Sequence, residues 1–157
     1  MLKVRSPQDL KKFENYDLGC SDWFLIDQEL INAFAKLSGD DQWIHVDSDR
    51  AFNEMPEGKT IAHGLLSLCI SPSLGENKIQ IENLKHTLNY GIDKVRFIAP
   101  VKVGSFIRLK SKIAQVTLRD DGSVLVRIER IMEIKGIEKL AMYAETLSLM
   151  YRDDQVN

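Results

Sequence analysis

What this chain has little of narrows its function first. It carries only two cysteines, Cys20 and Cys69, in 157 residues. They are too few and too far apart for a metal cluster or a disulfide scaffold. Cys69 lies in an apolar run and is expected to be a small core residue rather than a nucleophile. Charge of one sign is also missing: the formal net charge is -2. That gives no electrostatic case for a nucleic-acid surface. The longest apolar run spans residues 65–70 and contains Ser67. It is far too short to cross a bilayer. The N-terminus, Met1-Leu2-Lys3-Val4-Arg5-Ser6-Pro7, shows no hydrophobic signal region. The expected location is therefore the cytoplasm. No repeat and no low-complexity linker divides the chain, so residues 1–157 are expected to form one domain.

What is present reads as an ordinary globular core, with 44% apolar and 28% charged residues. Asp27 is a good N-cap for a helix over residues 28–37, and Ile26 with Ile31 would form its hydrophobic staple. Leu30, Ile31, Phe34 and Leu37 share one face, and Gly39 is a natural stop. Asp47 is expected to cap a second short helix through Arg50, Ala51 and Phe52. Residues 55–59 read as a loop, because proline and glycine interrupt it. Residues 61–70 are apolar on nearly every side, which predicts a helix buried all round. Pro72 and Gly75 should bracket its end.

The second half changes period. Ile107, Leu109 and Ile113 alternate with Arg108, Lys110 and Lys112, which predicts a strand with one wet face. Asp121-Gly122 marks a hairpin, and Val124, Val126 and Ile128 continue the return strand. Lys135-Gly136 makes another turn before a third strand over residues 140–151. Three long antiparallel strands beside a buried helix predict an α+β fold with a curved sheet wrapped around that helix. Such a sheet leaves an edge, which predicts a homodimer or a higher homo-oligomer.

The chemistry concentrates in Ser38-Gly39-Asp40-Asp41-Gln42-Trp43-Ile44-His45-Val46-Asp47. Asp40 and His45 are two proton-transfer groups on one loop, able to handle one water between them. Alone, the spacing fits a turn aspartate and a loop histidine equally well. His63-Gly64 stands near the start of the apolar helix. A helix N-terminus offers free N–H groups and partial positive charge to a developing oxyanion, and Gly64 would let a substrate approach closely. Gly64 would serve tight helix packing just as well. His63 itself reads as structural, Trp43 as loop packing, and Asp47 as a cap rather than a partner of His45. Arg96, Arg108, Lys110 and Lys112 could meet the phosphates of an acyl carrier, or simply form a solvated face.

Three segments together resemble the MaoC-like dehydratases, which include the (R)-specific enoyl-CoA hydratases. They are Phe34-Ala35-Lys36-Leu37-Ser38-Gly39-Asp40, His45-Val46-Asp47 and Ile61-Ala62-His63-Gly64. Asp41-Gln42-Trp43-Ile44-His45-Val46-Asp47 and Asn89-Tyr90-Gly91-Ile92-Asp93-Lys94-Val95-Arg96-Phe97 are most similar to the NodN-like branch. The resemblance implies a hot-dog fold, an antiparallel sheet around a long helix. It implies Asp40 and His45 as the catalytic pair and the Gly64 N–H as the oxyanion donor. It implies reversible hydration of a 2-enoyl thioester, of coenzyme A or an acyl carrier, giving the (R)-3-hydroxyacyl thioester. No cofactor and no metal is implied. The main branch carries Asn-Pro where this chain has Gln42-Trp43, so the acyl pocket is expected to differ. Two other expectations stand beside this one: a hot-dog thioesterase, and a non-catalytic acyl-thioester-binding protein.

Overall fold

The computed structural model describes residues 1–75 and 78–153. Its strands are β1 (Leu2–Val4), β2 (Asp17–Cys20), β3 (Phe24–Ile26), β4 (Ile79–Ile81), β5 (Leu84–Phe97), β6 (Ser105–Leu118), β7 (Val124–Ile134) and β8 (Ile137–Arg152). Its α-helices are α1 (Gln28–Ser38), α2 (Trp43–Val46), α3 (Ser48–Glu54) and α4 (Gly64–Leu74). The main sheet runs in the order β2-β6-β7-β8-β5, and β3 extends it by pairing with β6. All its pairings are antiparallel. A small parallel pair, β1 with β4, stands apart. This is the hot-dog arrangement, with α4 as the inner helix.

Local signals place the elements as the sequence predicts. The Asp27 carboxylate accepts from the Leu30 N–H at 2.8 Å, and Gly39 ends α1 with φ 77°. That positive φ suits glycine because no side chain clashes there. The Asp47 carboxylate caps α3 by accepting from the Arg50 N–H at 2.9 Å. β6, β7 and β8 are the three long strands expected, and Gly122 and Gly136 turn with positive φ. On β7 the burial alternates strictly along the strand. That follows from the period of two, which sends successive side chains to opposite faces.

Four expectations need correction. The inner helix begins at Gly64, not near Ile61. Ile61 instead bridges to Lys102, and the Ala62 N–H bonds to the Val101 carbonyl. The end of the helix is as expected: α4 stops at Leu74, between Pro72 and Gly75. The helix is not buried all round: Leu65 is 57% exposed, and Cys69, expected in the core, is exposed too. An all-apolar composition cannot tell which face the sheet covers. Finally, β5 has no counterpart in the expected strands, although it is 14 residues long. It is an edge strand with most of its residues exposed, so no apolar alternation marks it.

The core divides in two. Ile26, Ile31, Leu66, Ile107, Leu109, Met132 and Met142 pack α1 and α4 onto the sheet. Leu10, Ile113, Val116, Val124 and Val126 form a second cluster under the N-terminal segment. The first cluster carries the helix end on which the candidate site is built.

Candidate active site

α1 delivers the chain to the site, and its glycine stop reverses the backbone just before Asp40. α2 then carries His45, which is buried, while Asp40 remains exposed. The Nδ1 of His45 lies 2.6 Å from the Ile61 carbonyl oxygen. A carbonyl oxygen only accepts, so Nδ1 must carry the hydrogen. The neutral ring therefore keeps its lone pair on Nε2, the tautomer a general base needs. The backbone of His45 is also anchored: the Gln28 side chain donates to its carbonyl at 2.7 Å. Gln28 is held in turn by the Thr60 hydroxyl at 2.5 Å.

The same argument applies to His63. Its Nε2 lies 2.8 Å from the Asp40 carbonyl oxygen, so Nε2 donates. Its Nδ1 is buried without a hydrogen-bond partner. The two imidazoles stack, with ring centroids 3.7 Å apart and planes 25° apart. Phe34 of α1 flanks His63 at 5.0 Å. One donor atom from each of Asp40, His45 and His63 falls within 4.8 Å of the others. Proton transfer through a single bridging water fits that spacing. Among the described residues, these three side chains are also placed so that they could hold a cation.

His63 is thus brought into the site, where the sequence suggested only a structural role. The available signal was its position beside Gly64 at the start of the helix. Gln28 carried no signal, because its partners lie 17 and 32 residues away.

Gly64 opens α4 immediately after His63, and no side chain caps this helix. The 11-residue helix therefore presents its first-turn N–H groups and its positive end at the site. Gly64 is also tightly packed. A Cβ there would stand 2.6 Å from the Phe97 ring. Trp43 lies in α2 under the Arg50 guanidinium, 4.1 Å from the ring centroid, and so braces α2 against α3. Of the basic residues on β6, Arg108 pairs with Glu133 and Lys110 with Asp17, a solvated face tied by ion pairs.

The MaoC-like domain family model matches residues 13–133. A 3-hydroxyacyl-thioester dehydratase Z of Mycobacterium tuberculosis is 40% identical over 147 residues, covering 94% of this chain and 97% of that protein. Nodulation protein N of Rhizobium leguminosarum bv. viciae is 36% identical over 140 residues, covering 87% and 86%. Among solved structures, a monoamine oxidase regulatory protein from Archaeoglobus fulgidus superposes with a TM-score of 0.78. That pair is 20% identical, over 97% of this chain and 99% of the other.

Proposed function

Since the chain belongs to the MaoC-like domain family, we propose that it is a hydratase–dehydratase of 2-enoyl thioesters. The observation that carries this reading is the Asp40–His45 pair, with donor atoms within 4.8 Å and the His45 tautomer set by Ile61. The dehydratase similarity of the Mycobacterium tuberculosis relative supports it. The finer reading is an enoyl-CoA hydratase giving the (R)-3-hydroxyacyl-CoA. It would act in the cytoplasm as a homodimer.

A water between the two groups attacks C3 of the enoyl thioester. Its oxygen bonds to C3 while one proton passes to Nε2 of His45. The C2–C3 π electrons shift toward the thioester carbonyl, and negative charge grows on that oxygen. The Gly64 N–H and the positive end of α4 stabilise this charge. The pair then returns a proton to C2. Water is added as a whole, and both groups end in their starting states. Asp40 polarises and orients the water from the opposite side. The Ile61 carbonyl keeps His45 in the productive tautomer throughout and supports the imidazolium that forms.

The dimer reading rests on β5. Leu88, Tyr90 and Ile92 on this edge strand are about half exposed, and an uncovered edge invites pairing. No described helix is long and apolar enough to cross a membrane.

Loss of the enone absorbance of crotonyl-CoA, with free thiol measured alongside, tests the reaction. Hydration without thiol release is the expected result. Thiol release without hydration identifies a thioesterase instead, and tight binding with neither identifies a non-catalytic binder. Repeating the assay with a crotonyl acyl-carrier protein decides the carrier.

A further inference from the structure

Two cavities of about 340 and 450 Å³ lie side by side against α4, and they share Pro72, Asn89, Arg130 and Ser148. Their walls are mainly apolar, with Leu68, Ile92 and Leu147 on one side and Ile128 and Met150 on the other. Arg130 of β7 stands at the junction and is only 8% exposed. Its Nε donates to the Thr146 hydroxyl at 3.0 Å, and its Nη1 donates to the Ser71 carbonyl at 3.1 Å. A guanidinium has five N–H donors, so these bonds leave most of them unspent. Among the described residues no carboxylate pairs with it. The carbonyl end of α4 offsets part of the charge, but a buried cation remains costly without an anion. Burial correspondingly holds the Arg130 pKa below its ordinary value. Ser111 and Ser71 each line one of these cavities, and their hydroxyls are buried beside it without a hydrogen-bond partner among the described residues. An apolar hollow thus ends at a guanidinium that no described carboxylate neutralises, beside two hydroxyls without a described partner.

The hollow lies along the same helix that opens at the candidate active site, with Phe97 packed on Gly64 between the two. Gly64 lies under Phe97, Leu68 and Cys69 line the cavity with Ile92, and Pro72 lines it with Asn89. Successive positions of α4 therefore lie across the hollow from successive positions of β5, toward Arg130. Gly64 to Ser71 is seven helical steps, or about 10 Å. An extended chain covers roughly 1.2 Å per bond, so the span takes about eight or nine bonds from the thioester carbonyl.

We propose that the groove between α4 and β5 holds the acyl chain, and that Arg130, Ser71 and Ser111 bind a carboxylate at its far end. This deepens the hydratase reading and rests on it for the position of the thioester. The substrate class is then a 2-enoyl thioester of about ten carbons with an ω-carboxyl group. The carboxylate supplies acceptors for the unspent N–H and O–H donors and the anion that the buried guanidinium needs, while the walls exclude water from the methylenes.

Calorimetry with decanoyl-CoA and its ω-carboxy counterpart tests the site directly on the whole protein. The ω-carboxy ligand is expected to bind about tenfold more tightly or better, as befits hydrogen bonds to a charged group. Arg130→Gln should erase that preference, and Ser71→Ala and Ser111→Ala should each reduce it. The serine variants carry the test if Arg130→Gln does not fold. Equal affinities in the native protein, or a preference unchanged in the variants, overturn the proposal. Crotonyl-CoA turnover separates the two layers. Hydration without any ω-carboxyl preference sinks the subsite alone. The preference without hydration sinks the reaction and leaves the subsite standing.

Discussion

The imidazole of His63 lies face to face with that of His45, 3.7 Å between centroids, while its Nε2–H holds the Asp40 carbonyl. One side chain thus touches both members of the candidate pair without being either of them. His63→Phe keeps a ring in the stack and removes the N–H. It should lower kcat with little change in KM, and lower stability by about 1 kcal/mol. His63→Gln can donate to the same carbonyl and should recover part of the rate. Equal kcat values for the two variants would show that the hydrogen bond plays no part.

Asp40→Asn and His45→Gln should each reduce kcat by about 10²–10⁴-fold while leaving the fold intact. The double variant should lose far less than the product of the single effects, because both groups act on one water. Steady-state hydration rates per folded molecule settle this, and near-native rates in both single variants would place the chemistry elsewhere.

Gly64→Val separates packing from oxyanion stabilisation only with help from a second site. The added Cβ would collide with the Phe97 ring, so the single variant should lose both stability and turnover. Pairing it with Phe97→Ala should restore the melting temperature. Turnover should stay low, because the side chain still crowds the carbonyl beside the Gly64 N–H. Recovery of both properties together would leave Gly64 a packing residue only.

A charge on the exposed edge should break the dimer. Tyr90→Glu on β5 removes an apolar contact and adds repulsion across a two-fold axis. Sedimentation at micromolar concentration should show a dimer for the native chain and a monomer for the variant. A native monomer with full activity would exclude any site shared between subunits.

Acid should loosen the sheet through Glu145. The Tyr143 hydroxyl donates to its carboxylate, and Arg127 pairs with both Glu145 and Asp93. These contacts hold the Glu145 carboxyl below its ordinary value of 4.5. A depressed folded value stabilises above the ordinary value, and that stability is lost as pH falls through the folded value. Thermal melts below pH 4.5 should therefore show a steeper loss for the native protein than for Glu145→Gln. Parallel curves would mean that the carboxylate is no better held in the fold than in the unfolded chain.

Much of this protein is decided by neighbours in the chain. Asp27 and Asp47 cap their helices because a carboxylate three residues before a free N–H can reach it. Gly39, Gly122 and Gly136 mark turns because their φ values are positive. The strict alternation on β7 follows from a period of two. Asp40, His45 and Gly64 were legible as a candidate set through motif and spacing, and α2 and α4 bring them to one end of the inner helix.

Tertiary structure decided the rest, because long-range partners leave no local trace. The His45 tautomer depends on a carbonyl 16 residues away, and the placement of His63 depends on one 23 residues away. β5 is a strand because β8 pairs along nearly its whole length, not because its own residues alternate. Leu65 and Cys69 are exposed because the sheet curls over one side of α4 only, a choice that an all-apolar helix cannot encode. Arg130 reads as one more charge on a strand. Its burial appears only once α4 closes over the sheet and sets the Ser71 carbonyl against it.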